Sequence, residues 1–534
     1  MAKFFKKTTL RFIQNHWGKE DEQQDVDFKD LEDFFVQMMK KDDWILDDQT
    51  WNDLDMNRTY TKMNRTFSNP GQQCLYNMLR ILQFDEDELK RRNRMIEFLQ
   101  HNKEQREKIQ SLLYFMGKEE YDGAASILYK GTPKLPPGRA WVLPATLGMI
   151  GSIISLPFLG VRAVILIVVF FIMNMIIHNG MNKYTEASLP GIRYLAKMLL
   201  AAREIAKLKI PELDSNYNSF FEKVVDKCNI IIKKNRAIGT VSTDMLGLGE
   251  YLKIAFLTEA RAYLRTCMYI DQFAPALRTL YRRLGELDAF QSVASMRRGM
   301  RYCCKPEFVE QQDYLSVVQM GHPMIKGAVC NDITIDGKNI VLTGSNMSGK
   351  STFLRTIGVN AILAQTFYMA MAKKYKTSFF NVLSSISPSD DLMEGRSYYM
   401  AEAEALLRMI QNADGERCTI LLIDEIFRGT NPTERVAAAS SLLTYLSERN
   451  CLVMVATHDI EITENVKEQY DSYHFEEEVT KDSMEFDYLL KPGVLKKPNG
   501  IRILEYIGYP EEITQRALEA VQFGRNGENK DENL

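Results

Sequence analysis

The sequence predicts two architectures in one chain: a mixed α/β domain in the C-terminal part, and an all-helical region ahead of it. From Asn331 onward, short apolar segments alternate with helical ones, which is the pattern of a sheet flanked by helices. Residues 28–130 and 184–310 instead carry apolar residues at spacings of three and four, as amphipathic helices do. Two long uncharged runs lie between these helical stretches.

Length and composition suit a cytosolic protein of several domains. The chain has 534 residues, of which 45% are hydrophobic and 26% charged, and its formal net charge is −3. A protein that binds nucleic acid by charge alone is usually basic overall, so any DNA contact must come from a local patch. The eight cysteines show no zinc spacing. We therefore expect reduced thiols and no structural metal cluster.

Changes of composition along the chain predict six segments. Residues 1–27 form a tail with a basic, aromatic first part, which is either an amphipathic membrane-surface helix or partly disordered, and an acidic second part. The other segments are, in order, the first part of a helical core at 28–140, a hydrophobic hairpin at 141–178, a helical lever at 179–310, an α/β domain at 311–523 and a disordered polar tail at 524–534.

Residues 141–178 predict a helical hairpin that crosses a membrane twice. Residues 141–160 and 163–177 contain no charged side chain, and each run is close to the roughly 17–25 residues that a bilayer crossing needs. Basic residues flank the hairpin on both sides, so the positive-inside rule places both flanks in the cytoplasm. A buried hairpin in a soluble protein, or a dimer interface, is the alternative.

A glycine-rich segment at 344–351 predicts a phosphate-binding loop. It follows an apolar strand at 339–343, precedes a helix, and reads Gly344-Ser345-Asn346-Met347-Ser348-Gly349-Lys350-Ser351. Gly344 and Gly349 let backbone N–H groups turn toward phosphate oxygens at the positive end of a helix. We expect the loop and Thr352 to bind ATP, with Lys350 on the β- and γ-phosphates and the Ser351 hydroxyl on Mg²⁺.

Two further strands predict the rest of this site. The apolar strand at 419–423 ends in Asp424 and Glu425, and ligands of open α/β sheets bind outside the carboxyl ends of the strands. We expect Asp424 to hold magnesium, directly or through water, and Glu425 to orient or deprotonate the attacking water. The strand at 451–456 ends close to His458, which could sense the γ-phosphate or could be purely structural.

The ordered motifs resemble those of the MutS family of DNA mismatch-repair ATPases. The segments that carry this resemblance are 344–358, similar to the family's Walker A motif, 390–402, similar to DDLxxGRSTFMxE, 424–430, similar to DEIGRGT, 456–458, similar to Ala-Thr-His, and 488–510, similar to its closing segment. The resemblance covers roughly residues 270–520. It implies a P-loop NTPase domain with an ABC/MutS-like mixed sheet flanked by helices.

This resemblance also implies an activity and partners. It implies an ATPase that binds and hydrolyses Mg-ATP at composite sites of a homodimer, where Ser397 occupies the position of the serine that completes the partner's site. It further implies coupling to DNA binding or DNA repair by a cytoplasmic ATPase domain, here anchored to a membrane through the two-pass hairpin. A nucleotide-switched membrane scaffold without mismatch recognition is the alternative.

The chain departs from the family pattern in its motifs and in its architecture. Tyr398 and Tyr399 follow Ser397 where the family has Thr-Phe, Phe427 stands where the family has a small residue, and the family's Asp-Gly after Thr430 is missing. A MutS protein carries a mismatch-reading domain and a connector ahead of its helical core, so we expect this chain to be truncated at the N-terminus relative to the family.

Overall fold

The computed structural model describes residues 7–19, 26–41, 43–119, 122–132, 135–210, 215–235, 248–345, 348–386, 398–479, 484–495 and 500–520. Its helices are α1 (Lys7–His16), α2 (Phe28–Met38), α3 (Asp48–Asp53), α4 (Met56–Met63), α5 (Asn69–Arg80), α6 (Glu86–His101), α7 (Lys103–Met116), α8 (Gly123–Ala125), α9 (Val142–Ile154), α10 (Leu156–Leu159), α11 (Val161–Ala206), α12 (Ser215–Asn235), α13 (Leu248–Ala255), α14 (Thr258–Gly299), α15 (Lys350–Phe367), α16 (Tyr398–Asn412), α17 (Pro432–Ser447), α18 (Ile460–Asn465) and α19 (Gly500–Ile507).

Its strands are β1 (Trp44–Ile45), β2 (Ile81–Leu82), β3 (Glu307–Phe308), β4 (Tyr314–Met320), β5 (Asn331–Asp336), β6 (Asn339–Thr343), β7 (Lys374–Thr377), β8 (Asn381–Ser385), β9 (Thr419–Asp424), β10 (Cys451–Ala456), β11 (Tyr470–His474), β12 (Glu477–Val479), β13 (Met484–Phe486) and β14 (Lys491–Pro492). The contacts divide the chain into two compact units. The helical unit lies within residues 1–39, 63–77 and 94–298, and the α/β unit lies within residues 40–62, 78–93 and 299–534.

Close approach of two helices organises part of the helical unit. A Cβ on Gly285 of α14 would lie 2.4 Å from the Pro70 carbonyl oxygen and 2.5 Å from the Cys74 sulfur, so α5 and α14 touch backbone to backbone. Next to this contact the fully buried Asp288 carboxylate accepts hydrogen bonds from the Ser68 amide at 2.9 Å and from the Ser68 hydroxyl. Burial raises the pKa of Asp288 to about 6.

The two apolar runs form a helical hairpin, but the expected double crossing of a membrane is not supported. Among the described residues, α11 is the one helix that is long and apolar enough to span a bilayer. The first run is broken at two places. Pro157 lies in the first turn of a separate short helix, α10, and Gly160 turns the chain at φ +51°. The helix before the break, α9, therefore has only 13 residues. The second helix also continues past the predicted boundary at 178, to Ala206.

Much of the hairpin surface is apolar and exposed. Val164, Ile165 and Leu166 are all exposed, and successive helical residues are about 100° apart, so more than half of the α11 circumference is uncovered here. The exposed apolar side chains of α9, α10 and the first part of α11 are Leu143, Leu147, Ile150, Ile153, Ile154, Leu156, Phe158, Leu159, Val161, Val164, Ile165, Leu166, Val168, Val169, Ile172, Met175 and Ile176.

The α/β unit contains the predicted mixed sheet. Its strand order is β14-β11-β6-β10-β9-β8, with all neighbours parallel except β14 and β11. Every residue of β6, β8, β9 and β10 is buried, as expected for parallel strands that are covered on both faces. The unit also contains a four-stranded sheet of order β3-β7-β4-β5 and two two-stranded sheets, β1-β2 and β12-β13.

Part of the segment predicted as helical core belongs to the α/β unit. The contacts divide residues 28–140 between the two units, with 40–62 and 78–93 in the α/β unit. The buried Asp53 carboxylate accepts hydrogen bonds from the Ser384 hydroxyl at 2.8 Å and from the Ile386 amide at 3.0 Å. This polar contact at the end of β8 explains why α3 belongs to the α/β unit. Periodicity alone carries no information about such a partner.

We expect Gly285→Ala to destabilise the helical unit. The added methyl group would overlap the Pro70 carbonyl and the Cys74 sulfur. Such overpacking costs about 1–3 kcal/mol. Gly180→Ala is the control, because the new Cβ on α11 meets no atom within 4 Å. Since alanine favours a helix more than glycine does, this variant should stabilise the protein by about 0.5–1 kcal/mol. Urea unfolding followed by circular dichroism measures both, and equal stabilities for the two variants would contradict the close contact.

Candidate nucleotide-binding site

The ends of three adjacent strands converge at one edge of the main sheet. Asp424 of β9 pairs with Ala456 of β10, which in turn pairs with Leu342 of β6. The ladder continues for one more residue, because the Glu425 amide donates to the Ala456 carbonyl at 2.8 Å and the Thr457 amide donates to the Leu342 carbonyl at 2.9 Å. The three predicted segments therefore end level with one another, at the carboxyl edge where ligands of such sheets bind.

The glycine-rich loop connects β6 to α15 through two left-handed glycines. Gly344 has φ +143° and Gly349 has φ +111°. A Cβ on Gly344 would lie 2.8 Å from the Phe475 carbonyl oxygen, so this position has no room for a side chain. The Ser348 hydroxyl donates to the Ser345 carbonyl at 2.9 Å within the loop. Asn346 and Met347, also predicted to bind nucleotide, lie outside the described residues.

Lys350 lies under the loop. Its ammonium donates to the carbonyls of Gly344 at 2.7 Å and Ser345 at 2.8 Å, and it is almost fully buried. Burial lowers the pKa of Lys350, while the charges of Asp424 and Glu425 act in the opposite direction. A buried cation that closes a glycine loop at a helix N-terminus is the arrangement that holds a phosphate chain.

Ser351 and Asp424 form an oxygen pair beside Lys350. The Ser351 hydroxyl donates a hydrogen bond to the Asp424 carboxylate. Burial raises the pKa of Asp424, and the Ser351 hydrogen bond and the Arg428 charge offset only part of that effect. A hydroxyl and a carboxylate are hard ligands that suit Mg²⁺, which takes few protein oxygens when phosphates supply others. In the described part of the chain, no group of three His, Cys, Asp or Glu side chains converges as a metal site.

The Glu425 carboxylate is held from two sides. His458 Nε2 lies 2.9 Å from its Oε1 oxygen, and the Arg428 guanidinium forms an ion pair with Oε2. Burial raises the pKa of Glu425, but the His458 hydrogen bond and the Arg428 charge outweigh burial and leave this pKa below its ordinary value. Glu425 is therefore ionised at neutral pH, as an acceptor for the proton of a water molecule must be.

A cavity of about 390 Å³ adjoins the glycine loop and was not predicted from the sequence. Thr352 and Gly349 line it on one side, and the aromatic rings of Phe353, Phe475 and Tyr488 line it elsewhere. Apolar, aromatic walls and this size are typical of small-molecule sites. The aromatic walls come from α15, the segment after β11 and the segment after β13, so no local sequence pattern could reveal them together.

His322 also lines this cavity. Its Nδ1 atom accepts a hydrogen bond from the Met324 amide at 3.2 Å, which leaves Nε2 as the protonated nitrogen of the neutral ring. Burial lowers the pKa of His322 to about 4, and the charges of Arg355, Arg58 and Lys62 contribute. No motif described above includes His322, so no motif indicated that this histidine lies beside the glycine loop.

The structure brings most of the predicted site residues together. Those at the carboxyl edge of the sheet are Gly344, Ser345, Ser348, Gly349, Lys350, Ser351, Thr352, Asp424, Glu425 and His458. Ser397, predicted to complete the site of a partner subunit, lies outside the described residues. A strand, a glycine loop with a buried lysine, and a carboxylate pair on a neighbouring parallel strand define a P-loop nucleotide-binding domain.

Comparison with known proteins shows which P-loop proteins this chain is similar to. Residues 340–523 match the family model described as MutS domain V. DNA mismatch repair protein MutS of Thermus thermophilus is 29% identical over 364 residues, which are 64% of this chain and 44% of that protein. MutS of Thermus caldophilus is 32% identical over 259 residues, 47% of this chain and 31% of that protein. MutS of Bacillus subtilis (strain 168) is 26% identical over 384 residues, 66% of this chain and 44% of that protein.

These matches support a relationship with the MutS family. The chain aligns with less than half the length of each of these three relatives. The family model covers the glycine loop, both carboxylates and His458, so the matched segment includes the predicted site residues that the structure describes.

We expect His322 to titrate with a midpoint near pH 4 and to make the α/β unit sensitive to acid. Its folded pKa lies below the ordinary value of 6.5, so the unfolded chain takes up the proton first as the pH falls. The contribution to stability is complete above pH 6.5 and is lost between pH 6.5 and 4, by at most about 3 kcal/mol. His322→Gln should lose less stability over this range, and parallel stability curves for wild type and variant would contradict the burial of this ring. Histidine NMR gives the midpoint directly.

Proposed function

We propose that the α/β unit binds and hydrolyses Mg-ATP as a MutS-type ATPase. The observation that carries this proposal is the cluster at the carboxyl edge of the sheet. There Ser351 contacts Asp424, and His458 contacts both Lys350 and the ionised Glu425. A structural glycine turn would require neither a buried lysine nor two carboxylates beside it.

The chain's own groups divide the binding of Mg-ATP among them. The amides of the glycine loop and Lys350 would hold the phosphates, and Ser351 and Asp424 would hold the metal. Magnesium, when bound, neutralises charge on the phosphates and on the leaving group. The cavity lined by Phe353, Phe475 and Tyr488 would take the base, because aromatic rings offer stacking surfaces at its walls.

Glu425 is the group that would act on water. Its carboxylate is ionised and fixed by His458 and Arg428, so it can orient a water molecule and accept its proton as the oxygen attacks phosphorus. His458 contacts both Glu425 and, at 3.4 Å, the Lys350 ammonium. It is therefore placed to link the phosphate-binding lysine to the base, which fits the predicted role of a γ-phosphate sensor.

We further propose that two copies of the chain dimerise through this unit and that ATP binding holds them together. The position of Ser397 in a motif similar to the family's third motif supports this proposal. The relatives are named DNA mismatch repair proteins, which supports a coupling of the ATP cycle to DNA in this chain. The alternative is a nucleotide-switched membrane scaffold without mismatch recognition.

We expect Lys350→Ala and Glu425→Gln to separate binding from hydrolysis. Lys350→Ala removes the phosphate cation, so calorimetry should show Mg-ATP affinity reduced at least about tenfold, while Glu425→Gln should bind normally and hydrolyse about 10²–10⁴-fold more slowly. Phosphate release with and without duplex or junction DNA measures turnover. Stimulation by DNA that weakens with salt favours the DNA role, and full turnover by either variant would contradict the assigned site.

We propose membrane association as a second function, carried by the hairpin. Within the apolar stretch of α11, only 11% of the residues are buried in the protein, and apolar side chains so widely exposed favour a lipid environment. Trp141 at the start of the hairpin is exposed, and aromatic rings of this kind favour the headgroup region. Insertion of the hairpin into one leaflet of a bilayer, or a full crossing of the bilayer by α11, would each cover this surface.

We expect the full chain to float with vesicles of phosphatidylcholine and phosphatidylserine in a density gradient. Val168→Lys with Ile172→Lys places two charges on the exposed face of α11, each costing up to about 2.5–3.5 kcal/mol in the apolar layer. This variant should remain at the bottom. Val36→Lys on α2, also at an exposed valine, should float as wild type does. A wild type that stays at the bottom would rule out the membrane role.

A further inference from the structure

The turn that follows β9 carries two non-glycine residues in the left-handed backbone region. Glu425 has φ +59° and Phe427 has φ +56°. Residues with a Cβ pay roughly 1–2 kcal/mol for this conformation, so contacts from elsewhere must hold it. Such strain clusters at functional sites, and here it includes the residue proposed to act on water.

The start of α16 supplies these contacts. The buried Glu402 carboxylate lies beside the backbone amides of Arg428 and Gly429, which lower its pKa against the effect of burial. A Cβ on Gly429 would lie 2.9 Å from the Tyr399 Cβ, so the first turn of α16 rests directly on the turn after β9. The Tyr399 and Phe427 rings also meet, with their centroids 5.9 Å apart.

Phe427 contacts the protein on both sides. Besides Tyr399, its half-buried side chain packs against the apolar core that includes Ile426, Ala439 and Leu443. A glycine would reach this backbone conformation without strain but could make neither contact. In this chain, packing of the Phe427 side chain therefore stabilises a backbone conformation that a glycine would adopt freely. This explains physically why an aromatic residue can stand at this position.

The supported turn leads directly to the Glu425 side chain. Glu402 lies beside the backbone amide of Arg428, and the Arg428 guanidinium pairs with Glu425 Oε2. Because His458 holds the other oxygen, the orientation of Glu425 depends on where the turn places Arg428.

We propose that Glu402 and Phe427 are positioning residues for ATP hydrolysis, which hold the 425–429 turn on α16 and thereby aim the Glu425 carboxylate. The inference rests on the proposed ATPase function. Both residues act on the turn that carries Glu425, so they affect turnover and not nucleotide affinity.

The test compares Glu402→Leu with Glu402→Gln in the full chain. The leucine removes the carboxylate that lies beside both amides, so kcat should fall by about ten- to a hundredfold, as for a reacting group that moves by about 1 Å, while the KM for ATP changes less than about twofold. The glutamine keeps a carbonyl oxygen beside both amides, and it should restore kcat to near wild type. Glu404→Leu, on an exposed face of the same helix, is the control and should leave kcat unchanged.

Hydrogen exchange of the segment 425–431 reports the contact without any turnover. The amides of Arg428 and Gly429 should exchange faster in Glu402→Leu and at the wild-type rate in Glu402→Gln. Unchanged exchange in the leucine variant would overturn the contact. Faster exchange with an unchanged kcat would overturn the positioning role and leave the ATPase proposal standing. A wild type that binds Mg-ATP but never hydrolyses it would overturn both, and retained ATP binding shows that each variant is folded.

A double-mutant cycle tests the aromatic part of the support. If Phe427 acts through Tyr399, then Phe427→Ala and Tyr399→Ala should each lower kcat and the double variant should lower it no further than the stronger single change. Multiplicative effects of the two changes would show that Phe427 does not act through α16, and would overturn its assigned role.

Discussion

Register across three parallel strands is the constraint on which the rest of the site depends. Leu342, Ala456 and Asp424 lie in one row, and the hydrogen bonds continue for one residue beyond it. A shift of one residue in β9 would turn Asp424 to the opposite face of the sheet. The strands β6, β9 and β10 are buried along their whole length, so the groups at the edge are positioned by residues that take no part in the chemistry.

Electrostatics then separates the roles of two neighbouring carboxylates. Burial raises the pKa of both carboxylates. At Glu425 the His458 hydrogen bond and the nearby positive charges outweigh burial, whereas at Asp424 the Ser351 hydrogen bond and the nearby positive charges do not, so only the pKa of Asp424 ends above its ordinary value. Neighbouring groups whose environments push their pKa values apart commonly divide chemical roles between them. A cation bound at Asp424 would remove the cost of burying its charge, whereas Glu425 keeps its charge through partners that belong to the protein.

The sequence predicted those parts of the site whose residues are adjacent in the chain. The glycine loop, the carboxylate pair and His458 each follow an apolar strand, and strands reveal themselves locally. The cavity beside His322 could not be predicted, because its walls come from segments far apart in the chain. Likewise, helical periodicity gave no sign that Asp53 binds the end of β8, or that Pro157 and Gly160 would shorten the first helix of the hairpin.

The support of the turn after β9 shows how a departure from a family pattern can be read physically. Phe427 stands at a left-handed position that favours glycine. Such a substitution would ordinarily destabilise the turn, unless neighbouring groups compensate for the strain. Tyr399 and the core of the sheet supply that compensation, and Gly429 provides the space that α16 needs to reach the turn. Because packing on α16 replaces backbone freedom, the turn and the helix are linked more tightly than they would be around a glycine. The orientation of Glu425 then depends on where the first turn of α16 lies.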